Sequence, residues 1–172
     1  MPDQDLLATC WTTAGGCGTA AGRRRALRAA GYLAAMARHG LADRCRVEPC
    51  DFTEEAGYAG AARLLGDGDR PTAIAVVNDL AAVGALAGAL EAGVTVPAGL
   101  AVTGYDDTFF AAIPQVSLTT VNPDNATIGT TAAERLLDRV GRPEAGPGTE
   151  LVPPRLVVRA STSQPPREGI DA

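Results

Sequence analysis

Three short pairs of polar or aromatic residues stand where predicted strands end, and their side chains could bind a small hydroxylated molecule. They are Asp51-Phe52, Asn78-Asp79 and Asp106-Asp107. Carboxylate and amide groups can hold vicinal hydroxyls bidentately, and an aromatic ring can cover the apolar face of a sugar. Each pair also has an ordinary structural explanation, as a helix cap, a turn or a core residue. Three pairs at one sheet edge nevertheless favour a binding site.

The acidic pairs of the chain do not favour catalysis. Asp106-Asp107 follows a strand, and Glu54-Glu55 opens a helix. Neighbouring strand residues point to opposite faces, and neighbouring helical residues diverge by about 100°. Neither pair can therefore work together as the two carboxylates of a glycosidase do. Because no serine, cysteine or histidine constellation accompanies them, we predict no catalytic residue and a protein that is not an enzyme.

Metal and cofactor chemistry is not indicated either. The cysteines are Cys10, Cys17, Cys45 and Cys50, without a Cys-x-x-Cys pair, and the one histidine, His39, stands at a predicted helix end. Structural zinc needs four close ligands at short paired spacings. All 15 basic residues are arginine, which excludes a Schiff-base lysine and a Walker-type phosphate lysine. We predict no metal site, no cofactor and reduced thiols.

The elements that would carry the polar pairs alternate between strand and helix. Apolar β-branched runs predict buried strands, and apolar residues at three- and four-residue steps predict helices. The predicted strands are 46–49, 73–77, 100–103, 117–121 and 156–159, and the predicted helices are 23–39, 53–66, 79–93 and 126–140. Thr53 and Asn78 are candidate N-caps, and Gly40 and Gly93 are candidate terminators. This alternation predicts an α/β fold with a largely parallel sheet, whose strand carboxyl ends share one edge.

The composition describes one globular chain with no evident polyanionic partner. The 172 residues are 46% hydrophobic and carry a formal net charge of −5. This is enough aliphatic material for a core, while an acidic chain is poorly suited to hold DNA by itself. The N-terminus lacks a signal-peptide pattern and no stretch reaches the length of a membrane span, so we expect a cytoplasmic protein with no membrane partner. Residues 1–21 have no clear period and are expected to be a poorly defined lead-in.

Five sequence blocks occur in an order and spacing that are far more specific than any single motif. They are Pro71–Leu86, Val94–Pro97, Val102–Thr108, Leu118–Val121 and Leu156–Thr162. Together they closely resemble the effector-binding half of the LacI/GalR family of bacterial transcriptional regulators. Upstream, Arg28–Tyr32 and Asp51–Tyr58 fit the same register. The resemblance therefore runs from about Arg24 to Thr162.

The resemblance implies a type I periplasmic-binding-protein-like fold, in which two α/β subdomains with flanking helices enclose a ligand cleft. Residues 22–162 would form the sensor domain, and 163–172 a tail. Within the domain, about 45–121 and 150–161 would make a nearly complete C-terminal subdomain. About 22–40 and 122–141 would be remnants of a partial N-terminal subdomain. The family's helix-turn-helix and first strands are missing from this sequence, which implies an N-terminally truncated chain.

The resemblance also implies roles for individual residues. Matched by position, the family's effector contacts fall on Arg28, Phe52, Asn78 and Asp106, with Arg24 and Asp107 as additional candidates. Phe52 would stack on the ring of a sugar-like effector, and the polar groups would hold its hydroxyls. The helix 79–93 and the loop 109–114 would form part of a homodimer interface, to which we assign Val83, Ala87, Phe109 and Phe110.

Three functional hypotheses are compatible with these residues. The leading one is the sensor module of a LacI-type regulator, which binds a sugar-like effector and reaches DNA only through a helix-turn-helix absent from this chain. The second is a non-binding fragment that acts only by dimerising through the helix 79–93. The third is a solute-binding protein of a sugar transporter, which would require a signal peptide.

Overall fold

Six strands and four longer helices alternate along the chain. The computed structural model describes residues 7–10, 20–66, 68, 70–142, 144, 146 and 148–162, and only the backbone of 7–10 and 20–25. The strands are β1 Leu7–Cys10, β2 Cys45–Glu48, β3 Ala73–Val76, β4 Ala101–Tyr105, β5 Thr119–Asn122 and β6 Arg155–Val157. The helices are α1 Ala20–Arg38, α2 Glu54–Gly66, α3 Asp79–Glu91 and α4 Asn125–Gly141, with short 3-10 helices at Ala42–Arg44 and Phe109–Ala112.

The strands form one sheet in the order β2-β1-β3-β4-β5-β6. The first five run parallel, and β6 pairs antiparallel with β5. Parallel strands need crossover connections, and α1, α2 and α3 supply those from β1 to β2, from β2 to β3 and from β3 to β4. The predicted α/β class with a largely parallel sheet is confirmed. As a result, the carboxyl ends of β3 and β4 lie side by side.

Local signals account for where the helices begin and end. The side chain of Thr53 accepts a hydrogen bond from the Ala56 N–H, and that of Asn78 from the Ala81 N–H, as N-caps do. Gly40 and Gly93 have φ values of 71° and 68°, in the left-handed region that favours glycine. These caps and terminators were predicted, and they are confirmed.

Helices α2 and α3 pack unusually close together, because glycines lie where the two backbones meet. A β-carbon added at Gly57 would overlap the carbonyl of Ala81, and one at Gly84 would overlap the carbonyl of Glu54. A β-carbon at Gly88 would lie 3.2 Å from that of Ala61. This contact and the strands bury an aliphatic core whose largest fully buried members include Leu64, Leu65, Ile74, Leu100 and Leu118.

The expectation of a poorly defined lead-in over residues 1–21 is wrong for six of its residues, since Ala20 and Ala21 begin α1 and Leu7–Cys10 forms β1. Strand β1 lies between β2 and β3, with Leu7 in register with Cys45 of β2 and Ala73 of β3. The segment carries little β-branching, so its own sequence signals a strand only weakly. Pairing on both sides supplies what local propensity does not. Residues 1–6 and 11–19 lie outside the described residues.

Residues 22–40, which the resemblance assigns to a partial N-terminal subdomain, lie mostly in α1. Helix α1 connects β1 to β2, which are neighbours in the sheet, so it covers this sheet as any crossover helix does. Its residues Ala29 and Met36 are buried. Helix α4 differs: every one of its residues, all of which the structure describes, is exposed or half-buried.

The last strands deviate slightly from their predicted limits, for reasons visible in the backbone. Ser117 has a φ of 39° and cannot belong to a strand, so β5 begins at Thr119 rather than at Ser117. After β6 the chain turns back over the sheet, where the buried Ser161 donates to the Val102 carbonyl at 2.6 Å and accepts from the Thr119 N–H at 2.8 Å. Ser161 therefore bridges β4 and β5.

Candidate functional site

Arg28 brings a positive charge to the carboxyl ends of β3 and β4. Its guanidinium carbon lies 3.5 Å from the ring centroid of Tyr105, the last residue of β4. Its Nη1 donates to the carbonyl of Val77, which follows β3, at 3.2 Å. The face of an aromatic ring attracts a cation, so both contacts fix the same end of the side chain. Arg28 is thus held at the sheet edge formed by the carboxyl ends of β3 and β4, where the predicted site residues Asn78 and Asp106 also lie.

Tyr105 also lies among the candidate site residues, although we assign it no role from the sequence. It lies inside the block Val102–Thr108, but only its neighbours were assigned as contacts. The available signal was an aromatic residue at the carboxyl end of a buried strand. Only the structure reveals that its ring supports Arg28, because the two residues are far apart in the chain.

Asn78 links two of the predicted pairs. Its Oδ1 caps α3 by accepting from the Ala81 N–H at 2.9 Å, while its Nδ2 donates to the carbonyl of Phe52 at 3.3 Å. Phe52 is half-buried and packs against the core cluster, which leaves part of its ring accessible. Both residues lie at the strand-end edge, and Asn78 serves as a cap as well as a candidate contact.

Asp106 carries the negative charge of the edge, in an unusual backbone conformation. Its φ is 105°, which non-glycine residues rarely adopt, and its N–H is held by the Val121 carbonyl at 2.9 Å. Burial raises the pKa of Asp106 above its ordinary value; the charge of Arg28 opposes that rise, and the Asp79 carboxylate adds to it. The carboxyl of Asp106 is therefore partly desolvated and faces the charge of Arg28.

Asp79 is more than the simple helix cap that its position suggests. It is fully buried, and its Oδ2 accepts from both the N–H and the hydroxyl of Thr108, at 2.7 and 3.0 Å. Its Oδ1 accepts from the hydroxyl of Thr120 at 2.5 Å. A β-carbon at Gly104 would overlap this oxygen, so the strand must have glycine there. Asp79 thus ties α3 to β5 and to the loop that carries Asp106.

Asp107, an additional candidate contact, is engaged within the chain instead. Its Oδ1 pairs with Nη2 of Arg159 at 2.7 Å, and its Oδ2 accepts from Nδ2 of Asn122 at 2.7 Å. The structure therefore brings Arg28, Asn78 and Asp106 to one edge and directs Asp107 to β5 and the segment after β6. The side chain of Arg24, the other additional candidate, lies outside the described residues.

The residues expected at a dimer interface lie on α3 and on the 3-10 helix after β4. Val83 and Phe110 are half-buried, whereas Ala87 and Phe109 are exposed, Phe109 to 72%. The rings of Phe109 and Phe110 lie 3.9 Å apart between centroids. Exposed Leu80 and Leu90 continue the α3 face, so the surface is apolar along the helix.

Other chemistries find little support in the described parts of the chain. No group of three or more histidine, cysteine or acidic side chains there could hold a metal ion. Cys45 and Cys50 are free thiols. Among the helices that the structure describes, none is long and apolar enough to cross a lipid bilayer.

Comparison with known proteins gives consistent matches along most of the chain. Residues 6–162 match the family described as "Periplasmic binding protein-like domain", a range that begins before the Arg24 expected from the sequence blocks. The transcriptional repressor PurR of Escherichia fergusonii is 37% identical over 116 residues, which cover 67% of this chain and 34% of the relative. This curated relative is a transcriptional regulator and not an enzyme.

Solved structures agree with these matches. The lac repressor dimer bound to operator and an anti-inducer superposes with a TM-score of 0.79 at 29% identity, covering 93% of this chain and 53% of that one. A LacI family regulator from Enterococcus faecium with bound ribose superposes with a TM-score of 0.78 at 27% identity, covering 92% and 57%. This chain therefore spans about half of each structural relative and a third of the curated one.

Proposed function

Because the chain belongs to the LacI/GalR family of transcriptional regulators, as an effector-binding domain with the periplasmic-binding-protein-like fold, we propose that it binds a small sugar-like effector at the edge of Arg28, Asn78 and Asp106. The observation that carries the proposal is the fixed position of Arg28, stacked on Tyr105 and bonded to Val77 beside Asp106.

Arg28 and Asp106 supply complementary hydrogen-bonding groups for a hydroxylated ligand. A guanidinium has five N–H donors, and the contact with Val77 uses Nη1 alone, so further donors remain for ligand hydroxyls. The carboxylate of Asp106 accepts from hydroxyls, and hydrogen bonds to charged groups are about twice as strong as neutral ones. The opposite charges balance each other, which suits an uncharged ligand better than an ion.

Phe52 gives the same edge an apolar surface. Its ring is half-buried against the core and its carbonyl is held by Asn78, so its position is fixed on two sides. A sugar ring has an apolar face that such an aromatic side chain can cover. The ribose bound to the Enterococcus faecium relative supports a pentose as the first ligand to test.

The division of the chain into subdomains forms part of the proposal. The sheet with α1, α2 and α3 would be one subdomain, which moves α1 from its earlier assignment. Helix α4 lies between β5 and β6 in the chain. It would belong to a second, partial subdomain, since none of its residues is buried against the sheet. The effector edge would then form one wall of a cleft between the two.

We further propose that the chain forms a homodimer through α3. The helix is apolar on all sides, and one side already packs on α2 and the sheet. A helix that is hydrophobic all round normally buries all its faces. The uncovered face holds Leu80, Val83, Ala87 and Leu90 and borders a groove of about 340 Å³, lined also by Pro97 and Pro114.

In the whole regulator, DNA contact would come from the family's helix-turn-helix, outside this sequence, and the protein would act in the cytoplasm where that DNA lies. The net charge of −5 is in keeping with this division of labour, because neutralising phosphates requires basic residues. Effector binding by the sensor would then alter the affinity for DNA through linkage between the two sites.

Isothermal titration calorimetry of the purified chain, with D-ribose first and a panel of hexoses and nucleosides after it, tests the effector. We expect a saturable heat with one ligand per chain. Silence towards the whole panel, with native circular dichroism, would reject effector binding by this chain. If light scattering then still finds a dimer, the second hypothesis, a fragment that acts only by pairing, is favoured.

A further inference from the structure

We propose that Arg159 is a positioning residue of the effector edge. By holding Asp107, it fixes the loop that bears Asp106 relative to the two strand ends that flank α4, Asn122 of β5 and Arg155 of β6. The proposal rests on the function proposed above and adds how the edge is regulated. It starts from the contacts of Asp107, which the effector assignment leaves unused.

The two carboxylate oxygens of Asp107 have different partners. Oδ1 accepts from Nη2 of Arg159 at 2.7 Å, and Oδ2 accepts from Nδ2 of Asn122 at 2.7 Å, with Nη2 of Arg155 at 4.0 Å. The side chains of Arg159 and Asp107 are only 20% and 12% exposed, so solvent screens this pair less than a surface pair. Nη1 of Arg159 also donates to the Leu118 carbonyl at 2.9 Å. The arginine is therefore held at two points.

The pKa of Asp107 agrees with a carboxylate that is held in its charged form. Burial by itself would raise the pKa, but hydrogen bonds from Arg159 and Asn122 and the charges of Arg159 and Arg155 outweigh it, so the pKa is lowered. The neighbouring Asp106 has a pKa shifted in the opposite direction. The two adjacent carboxylates therefore differ in their surroundings. Asp106 faces Arg28 at the proposed effector edge, whereas Asp107 faces Asn122 of β5 and Arg159 after β6.

The partners of Asp107 lie where the chain departs for α4 and where it returns. Asn122 ends β5, and Asp124 caps α4 two residues later. Arg155 opens β6, in register with Asn122, and Arg159 follows that strand. Since no residue of α4 is buried, these two connections determine where α4 stands relative to the sheet. The carboxylate of Asp107 therefore contacts the last residue of β5 and lies 4.0 Å from the first residue of β6, the two strand ends that flank α4, and it is covalently next to Asp106.

The loop needs such an external hold because its backbone is strained. Asp106 and Asp107 have φ values of 105° and 49° in succession, a backbone conformation that residues other than glycine rarely adopt and that costs conformational free energy. Contacts outside the loop offset this cost, among them Asp107 N–H to the Thr120 hydroxyl at 3.3 Å and Thr108 N–H to Asp79. Without Arg159 the hold on Asp107 weakens, and Asp106 loses its fixed direction. By linkage, any movement of the connections then changes effector affinity, and the effector restrains the connections in return.

Hydrogen exchange on the full chain tests the inference without any ligand. Arg159→Met removes the charge and the hydrogen-bond donors, and Arg159→Lys restores the charge. Arg63→Met is the matched control, because it breaks another arginine–carboxylate pair, between α2 and Glu48 at the end of β2. We expect Arg159→Met to speed exchange of the amides at 106–108 by about tenfold, in line with the loss of a charge-assisted hydrogen bond. Arg159→Lys should restore most of the protection, and Arg63→Met should leave these amides unchanged.

Two results would overturn the inference: loop exchange in Arg159→Met within about twofold of the wild type, or an equal rise across α2 and α3, which would indicate a merely structural role. If Arg159→Met fails to fold, Asp107→Asn is judged by the same criteria. The double variant Asp107→Asn/Arg159→Met should speed exchange by less than the product of the two single effects, because both changes break the ion pair that the two residues share.

D-ribose then separates this inference from the function on which it rests. If the wild type binds ribose, the ligand should slow exchange at 155–159 in the wild type and not in Arg159→Met, and affinity should fall about tenfold in that variant. Ribose protection at 155–159 that survives in Arg159→Met would contradict the coupling. If the wild type does not bind ribose, that effector is rejected, while the ligand-free exchange still decides the role of Arg159.

Discussion

Asp79 accepts two hydrogen bonds from Thr108 on a single oxygen, one from its N–H and one from its hydroxyl, although Asp79 begins α3 and Thr108 follows β4. A fully buried carboxylate is tolerated where donors satisfy it, and here Thr120 supplies a third. The bonds join α3, β5 and the loop that carries Asp106.

Asp79→Asn should destabilise the fold while keeping the size of the side chain. The amide has one acceptor oxygen in place of two, so it cannot satisfy both Thr108 and Thr120, and a buried donor left unpaired costs about 1–3 kcal/mol. Urea unfolding followed by circular dichroism measures the change. Asp43→Asn, in the exposed 3-10 helix, is the control and should have no effect. A loss below about 0.5 kcal/mol for Asp79→Asn, the range of ordinary surface changes, would mean that the three bonds contribute little.

Gly84→Ala should be poorly tolerated because its new methyl group would overlap the backbone of α2. Overpacking typically costs about 1–3 kcal/mol, and a rigid backbone partner places this site at the upper end. Gly129→Ala is the matched control in α4, where a β-carbon would meet nothing within 4 Å. That control should be neutral or stabilising by up to about 1 kcal/mol, since alanine favours helix. Thermal unfolding of both variants checks the pair, and equal melting temperatures would argue against the close contact of α2 and α3.

Arg28→Met should weaken effector binding with little effect on stability. The variant keeps an apolar stem over Tyr105 but loses the donors to the ligand, and a hydrogen bond to a charged group contributes about 1.5–3 kcal/mol, or at least tenfold in affinity. Arg38→Met, in the exposed last turn of the same helix, controls for a general loss of charge. Calorimetry with the best ligand of the panel gives both affinities. An unchanged affinity in Arg28→Met would exclude Arg28 as a contact.

Asp106 and Asp107 should make opposite contributions to stability as the pH changes. The folded pKa of Asp106 is raised, so the native state holds its proton more tightly than the unfolded chain, and stability falls as the pH rises from the ordinary value through the folded one. The folded pKa of Asp107 is lowered, so its contribution is present above the ordinary pKa and is lost as the pH falls through the folded value.

Substitution by asparagine checks these signs. At pH 7, Asp106→Asn should raise the melting temperature and Asp107→Asn should lower it, and both differences should shrink in acid. Differential scanning calorimetry from about pH 7 to about pH 3 spans the ordinary pKa of aspartate. The same sign for both variants at neutral pH would contradict the environments described for the two carboxylates.

Leu90→Glu should convert the proposed dimer into a monomer. Leu90 is 80% exposed on the uncovered face of α3, and a glutamate there would place a charge in an apolar interface from both copies. Size-exclusion chromatography with light scattering reports the mass. Leu137→Glu, on α4 with a similarly exposed leucine, should leave the dimer intact. Dissociation by Leu137→Glu and not by Leu90→Glu would assign the interface to α4 instead.

How far the sequence predicts this fold depends on whether the signal is local. The cap at Asn78, the terminators at Gly40 and Gly93 and the apolar runs of β3 and β4 are encoded within a few residues of where they act, and each was predicted. Strand β1 has little local signal and depends on two partners that come later in the chain, so it was missed. The place of α1 in the chain, between two strands of one sheet, becomes visible only with the same pairing.

The candidate site, like the fold, was predictable only where the signal is local. Polar residues at strand ends can be found from the sequence, and the family resemblance supplied Arg28. The support of Arg28 by Tyr105 and the burial of Asp79 beneath Thr108 involve residues far apart in the chain, which no local pattern reports. The orientation of Asp107 away from the edge depends on φ values that its side-chain chemistry alone does not predict.

The bridge made by Ser161 bears on how this domain can be engineered as a biosensor. Its hydroxyl joins Val102 of β4 to Thr119 of β5, and the hydroxyl oxygen of Thr162 lies 2.6 Å from that of Thr119. These two residues after β6 therefore help to hold β4 and β5 together. A fluorescent reporter joined directly after β6 would remove this bridge and loosen the pairing of β4 with β5 near Tyr105 and Asp106. The junction should instead follow Thr162, where the reporter leaves the bridge in place.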